Sequence, residues 1–358
     1  MTGFELDPRI AHAATLPGEA YCDEQVYSRE MDRIFARSWV GIPPLGSEIG
    51  WVQPFLLLPG ALDESLVLTR DENGEEALLS NVCTHRGMQL SCEARSAKRL
   101  RCTYHGRRFS LSGALEAAPG FEGAENFPSK SDDLPRLPLE RLGPIPFTAV
   151  AAKDGFEDWM APVRLWMRGL CLDSLRLKDE ETQRYQVAAN WKLYLDNYLE
   201  GFHIPTVHKS LAAALDVAGY ETVVLEQGSL QIGRVGPGEP ALPLADDHPL
   251  AGQHVGALYF HLFPNTLVNV YPWGISVNHV NPVSAAQTEV IFRSYYWDET
   301  LRDQGAGADL HRVELEDEAV VEAVQKGIRS RLYTRGRYAP QQEQAVHHFH
   351  RWWVTQIQ

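Results

Sequence analysis

Three patterns of apolar and polar positions follow one another along the chain. In EQVYSREMDRIFARSW the apolar residues Val26, Met31, Ile34 and Phe35 fall close to one helical face, predicting a helix that ends near Trp39 after an extended opening to about Tyr21. From Val40 to about Val150 the apolar runs shorten to strand length, as in SLVLTR, EALLSNV and RRFSLSGAL, and are broken by turns such as DENG. That punctuation predicts a compact all-β module. The stretch PGFEGAENFPSKSDDLPRLPLE has no sustained period and reads as a loop covering or leaving the module.

Past a boundary near 150–160 the helical period returns around Asn190 to His203 and from about Leu310 to Leu332. Between them, from about Thr222 to Trp297, HLFPNTLVNVYPWGISVNHVNP and TEVIFRSYYWD read as consecutive antiparallel strands. The whole is therefore expected to be α+β, with a lead-in at 1–38, a β domain at 39–150 and a second domain at 151–358.

Composition narrows the field. A chain of 358 residues, 44% hydrophobic, can bury a sizeable core. The net charge of −14, with no basic block, argues against nucleic acid and anionic membranes as partners. With no apolar run of membrane-spanning length and no secretory signal pattern, a cytoplasmic protein is expected. The five cysteines, Cys22, Cys83, Cys92, Cys102 and Cys171, are an odd set in a large chain, which points away from a disulfide framework and towards metal.

Two of them stand in matched pairs. Cys83-Thr84-His85 is followed, after sixteen residues, by Cys102-Thr103-Tyr104-His105. Two thiolates suit one iron of a [2Fe-2S] cluster, and two imidazoles leave the other iron less negative and raise the potential, as in Rieske centres. A zinc site could use the same atoms, but zinc fingers pair their cysteines before their histidines. Cys22, Cys92 and Cys171 have no such partners.

In the second half, NWKLYLDNYLEGFHIPTVH places His203 and His208 five apart, with Pro205 disturbing the helix between them. Non-haem iron(II) oxygenases require two histidines and one carboxylate on one face of the metal, leaving the rest open for O2 and substrate. His254, His261, His279, His347, His348 and His350 read instead as structural.

C-T-H-R-G followed by C-T-Y-H-G-R-R-F-x-L-x-G resembles the Rieske domain of ring-hydroxylating oxygenase α subunits, and the resemblance to Rieske non-haem iron oxygenases extends from TLPGEAYCDEQVYSREMDRIFARSW to VQKGIRSRLYTRGRY. It implies a [2Fe-2S] cluster on Cys83, His85, Cys102 and His105, and a helix-grip catalytic domain with a mononuclear iron on His203, His208 and a carboxylate from an E-D-x7-Q-x-G helix. That carboxylate is Asp317, with Glu316 competing. Arg107 departs from the Trp of many relatives and is expected to alter the rim of the cluster.

The resemblance further implies a head-to-tail homotrimer, in which Glu200 links His203 to the partner subunit's His105. The N-x-x-E-x-x-H set of Asn197, Glu200 and His203 resembles oxygenases of carnitine and betaine. Electrons from NAD(P)H would arrive through a separate reductase or ferredoxin, because the chain has no dinucleotide-binding Gly-rich motif. The expected activity is hydroxylation or oxidative dealkylation, with O2 as co-substrate, of a small organic molecule. Phe260, Phe263, Asn265, Val268, Val270 and Trp273 are candidate pocket walls, and their character favours an aromatic substrate. A quaternary ammonium compound held by cation–π attraction is the alternative. A Rieske electron-transfer protein without a working mononuclear iron is the competing class.

Overall fold

The computed structural model describes residues 4–46, 48–214, 219–302 and 304–358, without the side chains of 213 and 214. It divides into two compact units, residues 41–150 and residues 1–40 together with 151–358. Among the described residues no helix is long and apolar enough to cross a membrane.

The 41–150 unit is all-β. A five-stranded sheet runs in the order Arg95–Ser96, Trp51–Leu57, Glu64–Arg70, Glu76–Ser80, Arg136–Leu137, beside a three-stranded sheet of Leu100–Arg101, Arg108–Phe109 and Leu115–Ala117. The DENG turn forms because the Asp71 carboxylate accepts from the backbone N–H groups of Asn73 and Glu75 (2.8 and 2.9 Å). Cys83 and Cys102 are part of the apolar core, packed with Val67, Leu79, Leu100 and Phe109.

The larger unit combines helices with an antiparallel sheet, as the α+β expectation requires. The helices are α1 (Glu19–Cys22), α2 (Glu24–Arg33), α3 (Phe156–Trp166), α4 (Trp191–Tyr198), α5 (Ile204–Val207), α6 (Lys209–Ala214), α7 (Leu310–Gly327) and α8 (Gln344–Ile357). The sheet follows the order Arg176–Leu177, Gln287–Tyr296, Gly274–Ser284, Thr266–Tyr271, Val255–Leu262, Gly228–Arg234, Glu221–Leu225, and Gln183–Val187 also pairs with Gln287–Tyr296. Both faces of its central strands are buried, so alternation there separates two interiors rather than inside from outside.

Two buried polar knots fix the helices. Glu30 of α2 and Lys192 of α4 form an ion pair with neither side chain exposed. Trp191 and Trp353 donate their indole N–H groups to the same carboxylate (3.0 and 2.6 Å), tying in α8 and holding the N-terminal lead-in to this unit. Asn190 caps α4 by accepting from Lys192 N–H (3.0 Å), and its own backbone N–H donates to Gln325 of α7 (2.7 Å). The NWK and QKG segments thereby lock α4 to α7, the two helices that carry Asn197 and Asp317.

Candidate active site

In the 41–150 unit, two loops share one hydrogen-bond pattern. Cys83 N–H donates to Met88 O and Gly87 N–H to Cys83 O (2.8 and 3.0 Å), while Cys102 N–H donates to Arg107 O and Gly106 N–H to Cys102 O (2.9 and 3.1 Å). Gly87 and Gly106 sit at φ +74° and +77°, a left-handed turn that side chains resist, which explains the glycine of each motif. The turns bring the imidazoles of His85 and His105 to 4.7 Å between ring centres. Burial pushes the Cys83 thiol above its ordinary range, the His85 backbone pulls it back and neighbouring Cys102 adds to the rise. Burial, then the charge of Arg107, lowers the pKa of His85.

Arg107 is not a rim residue. It is buried, its guanidinium 4.4 Å from the ring centre of Phe121 and 5.2 Å from that of Phe127, with a hydrogen bond to Thr84 Oγ1 (3.3 Å) and an ion pair to Asp132 (4.0 Å). A guanidinium can stack, hydrogen-bond and carry a positive charge to Asp132 at once, where an indole would bring a single N–H and no charge. The loop containing Phe121 and Phe127 thus covers the second motif, and Phe121 also packs edge-on against His85.

In the larger unit α4 stops at Tyr198, short of the expected His203. Beyond that end the Glu200 carboxylate accepts from the backbone N–H groups of Phe202 and His203, fixing the turn that leads into α5. His203 and His208 then flank the single turn of α5, with Pro205 in its first turn where the missing N–H is harmless. Asp317 comes from α7, and ligating atoms of His203, His208 and Asp317 all lie within 4.8 Å of one another.

Asp317 Oδ1 is 2.8 Å from His208 Nε2, 3.5 Å from His203 Nε2, and accepts from Asn197 Nδ2 at 2.6 Å. The outer ring nitrogens have carboxylates of their own: Glu200 accepts from His203 Nδ1 (2.7 Å) and Glu316 from His208 Nδ1 (2.8 Å). Such outer carboxylates fix the tautomer and turn Nε2 inward, as they do for metal-binding histidines. Burial lowers the pKa of His208, but hydrogen bonds to Asp317 and Glu316 raise it by more. The His208 bond first, then Arg312, keeps Glu316 below the usual carboxylate range.

A cavity of about 100 Å³ opens beside these groups. Its sheet wall is formed by Gln231, Tyr259, Asn269, Tyr271, Asn278 and Phe292. Tyr194, Tyr198, Tyr220 and Glu314 also border it. Glu314 is buried, with its carboxyl pushed up to about 8 by desolvation against the hydrogen bond from Tyr194.

None of the six candidate wall residues borders this cavity. Phe260, Val268 and Val270 face the opposite side of the sheet, paired across strands with Leu230, Val277 and Ile275. Phe263 packs on Trp352 of α8 (4.6 Å between ring centres). Asn265 bonds Val280 O and Asn281 at a hairpin, and Trp273 stacks behind Tyr271. The wall was legible as the alternate register, Tyr259, Asn269 and Tyr271, the positions that carry polar atoms. His261 and His347 serve the structure, donating through Nε2 to the carbonyls of Pro264 and Asp7 (both 2.9 Å).

Residues 174–358 match the family model described as ring hydroxylating alpha subunit (catalytic domain), and residues 59–128 match the Rieske [2Fe-2S] domain. The chain belongs to the Rieske non-haem iron oxygenases. This oxygenase is 32% identical to the chloroplastic choline monooxygenase of Arabidopsis thaliana, over 97% of its own length and 84% of the relative's. It is 28% identical to the carnitine monooxygenase oxygenase subunit of Escherichia coli strain K12, over 94% and 92% of the two chains. In fold it superposes on a quaternary ammonium Rieske monooxygenase with a TM-score of 0.79, at 23% identity and 100% coverage of both chains. Against a Rhodococcus naphthalene 1,2-dioxygenase the TM-score is 0.72, at 20% identity, covering 96% and 94%.

The family's cofactors are the [2Fe-2S] cluster and a mononuclear iron, with O2 as co-substrate and electrons supplied by a reductase. The residues present fit both metal groups. His85 Nδ1 is buried with no hydrogen-bond partner, a nitrogen that a metal would satisfy. The His203, His208 and Asp317 set could hold a metal ion, with the two imidazoles and one carboxylate that a facial iron site uses.

Arg107 puts a positive charge next to the first motif, where a cation favours the reduced cluster. The Arg107→Met variant should therefore have a lower cluster reduction potential, by on the order of 50 mV, about one tenfold change for a one-electron couple. Redox titration of the visible absorption measures this, and an unchanged or raised potential would refute the electrostatic role.

Proposed function

We propose that this oxygenase is the terminal component of a monooxygenase acting on a small quaternary ammonium compound. The observation that carries the proposal is the cavity beside His203, His208 and Asp317. It is bordered by the carboxylates of Glu200, Glu314 and Asp317 and, among the described residues, by no Lys or Arg. Tyrosine rings complete it, with Tyr259 at 5.9 Å and 79° to Tyr271 and at 6.4 Å to Tyr220. Aromatic faces set at angles hold an alkylated ammonium by cation–π attraction, about 2 kcal/mol for a desolvated contact. The similarity to choline and carnitine monooxygenases points the same way.

In this reading Cys83, His85, Cys102 and His105 hold the cluster, and His203, His208 and Asp317 hold the mononuclear iron. When bound, that iron supplies open positions for O2 next to the substrate and receives the electrons that the cluster relays. Glu200 and Glu316 orient the two imidazoles, Asn197 holds the Asp317 carboxylate, and the tyrosines present a carbon of the ammonium head. Oxidation replaces one C–H bond with C–OH. The second oxygen atom leaves as water, using two electrons from the reductase or ferredoxin and two protons.

The proposal includes a homotrimer in which Glu200 joins His203 to the partner subunit's His105. His105 and Tyr104 are exposed here, available to a neighbouring chain, and the matched quaternary ammonium oxygenase is described as using inter-subunit electron transfer. The test is O2 uptake by the trimer with a matched reductase. Choline or another quaternary ammonium should be oxidised in proportion to O2 consumed, and naphthalene should not. Hydroxylation of naphthalene without response to quaternary ammonium compounds would overturn the substrate class.

A further inference from the structure

We propose that Glu314 is the anchor that selects a cationic substrate lacking a carboxylate of its own. The inference rests on the quaternary ammonium reading and goes beyond it by naming the selecting residue and the substrate's charge pattern.

Among the described residues three carboxylates border the cavity, and two are committed. Asp317 faces both histidines, and Glu200 is held by His203 Nδ1. Glu314 differs. Its Oε2 accepts from Tyr194 OH at 2.6 Å, while its Oε1 is buried without any hydrogen-bond partner. The residue is 3% exposed, so water does not relieve that oxygen. A buried carboxyl in this state ionises readily only when a cation or a donor comes beside it. Burial with no cation beside it is also why the carboxyl is pushed up to about 8.

The chain supplies no such cation to the cavity among its described residues, and the sequence of 213–218 contains no Lys or Arg. The missing positive charge is therefore the ligand's. A quaternary ammonium has no N–H to donate, so it is recognised by charge and by aromatic faces, here Glu314 and the rings of Tyr220, Tyr259 and Tyr271 that line the same cavity. A carboxylate on the same ligand would find, among the described residues, three acids and, outside the metal position, no cation. An ammonium alcohol or amine fits this arrangement, and an ammonium acid does not.

The test is anaerobic isothermal titration calorimetry of the iron-loaded full chain with choline, its neutral isostere 3,3-dimethylbutan-1-ol, and L-carnitine. The wild type should bind choline at least about tenfold more tightly than either other probe. In Glu314→Gln the choline-to-isostere ratio should fall towards one while the isostere still binds. Glu314→Asp keeps the charge but withdraws it, so its ratio should lie between; it serves alone if the glutamine variant does not fold. An unchanged ratio in these variants, with wild-type preference for choline intact, removes Glu314 as the anchor and leaves the substrate class standing. L-carnitine binding as tightly as choline overturns the exclusion of a carboxylate. No preference for choline in the wild type sinks the substrate class and the anchor together.

Discussion

Asp317→Ala should abolish substrate-dependent O2 uptake and remove about one iron per chain, whereas Glu316→Ala should keep that iron with about 10–100-fold weaker affinity. The two acids are adjacent on α7 but serve different nitrogens. Asp317 faces the inner Nε2 of both histidines, and Glu316 holds only the outer Nδ1 of His208. Removing the first takes a ligand from the set; removing the second loosens the aim of one imidazole. Iron analysis after gel filtration, alongside O2 uptake, separates the two. Loss of iron in Glu316→Ala with retention in Asp317→Ala would reverse the assignment.

The second large effect concerns stability. Glu30→Gln leaves the Lys192 ammonium without its counter-charge at a place with no solvent access, and breaking a buried pair from one side costs about 3–5 kcal/mol. Burial already lowers the pKa of Lys192, with Glu30 opposing that fall, so loss of Glu30 drives the amine further towards its neutral form. The double variant Glu30→Leu/Lys192→Met removes the uncompensated charge and should recover most of the loss, although the Trp191 and Trp353 N–H groups lose their acceptor. Urea titration followed by tryptophan fluorescence and near-ultraviolet circular dichroism reads both. A single variant as stable as wild type would show that the pair does not hold α2, α4 and α8 together.

What the sequence made legible was chemistry carried by local spacing. The two cysteine–histidine motifs were readable because each needs its glycine at a left-handed turn, and His203 and His208 because only one helical turn separates them. Asp317 lies more than a hundred residues away, and only the family resemblance brought it forward; the choice between it and Glu316 depended on which ring nitrogen each carboxylate reaches. The cavity wall was misread for a definite reason. In a sheet buried on both faces the apolar set of alternate residues belongs to the core, and the ligand side is the one that retains polar atoms. Glu314 gave little local signal, since an acid within VELEDEAVVE reads as a solvated helical face until Tyr194 is found against it. The turn between α4 and α5 was likewise fixed by a side chain, Glu200, whose carboxylate accepts from the Phe202 and His203 N–H groups.

The most direct test of a two-metal oxygenase is iron and acid-labile sulfide per chain in anaerobically purified protein, with the electron paramagnetic resonance spectrum of the reduced sample. About three iron and two sulfide are expected, falling to about two iron in His203→Ala/His208→Ala with the Rieske signal intact. About two iron in the parent after iron reconstitution, unchanged in that variant, would make the chain an electron carrier; zinc without sulfide would contradict the cluster itself.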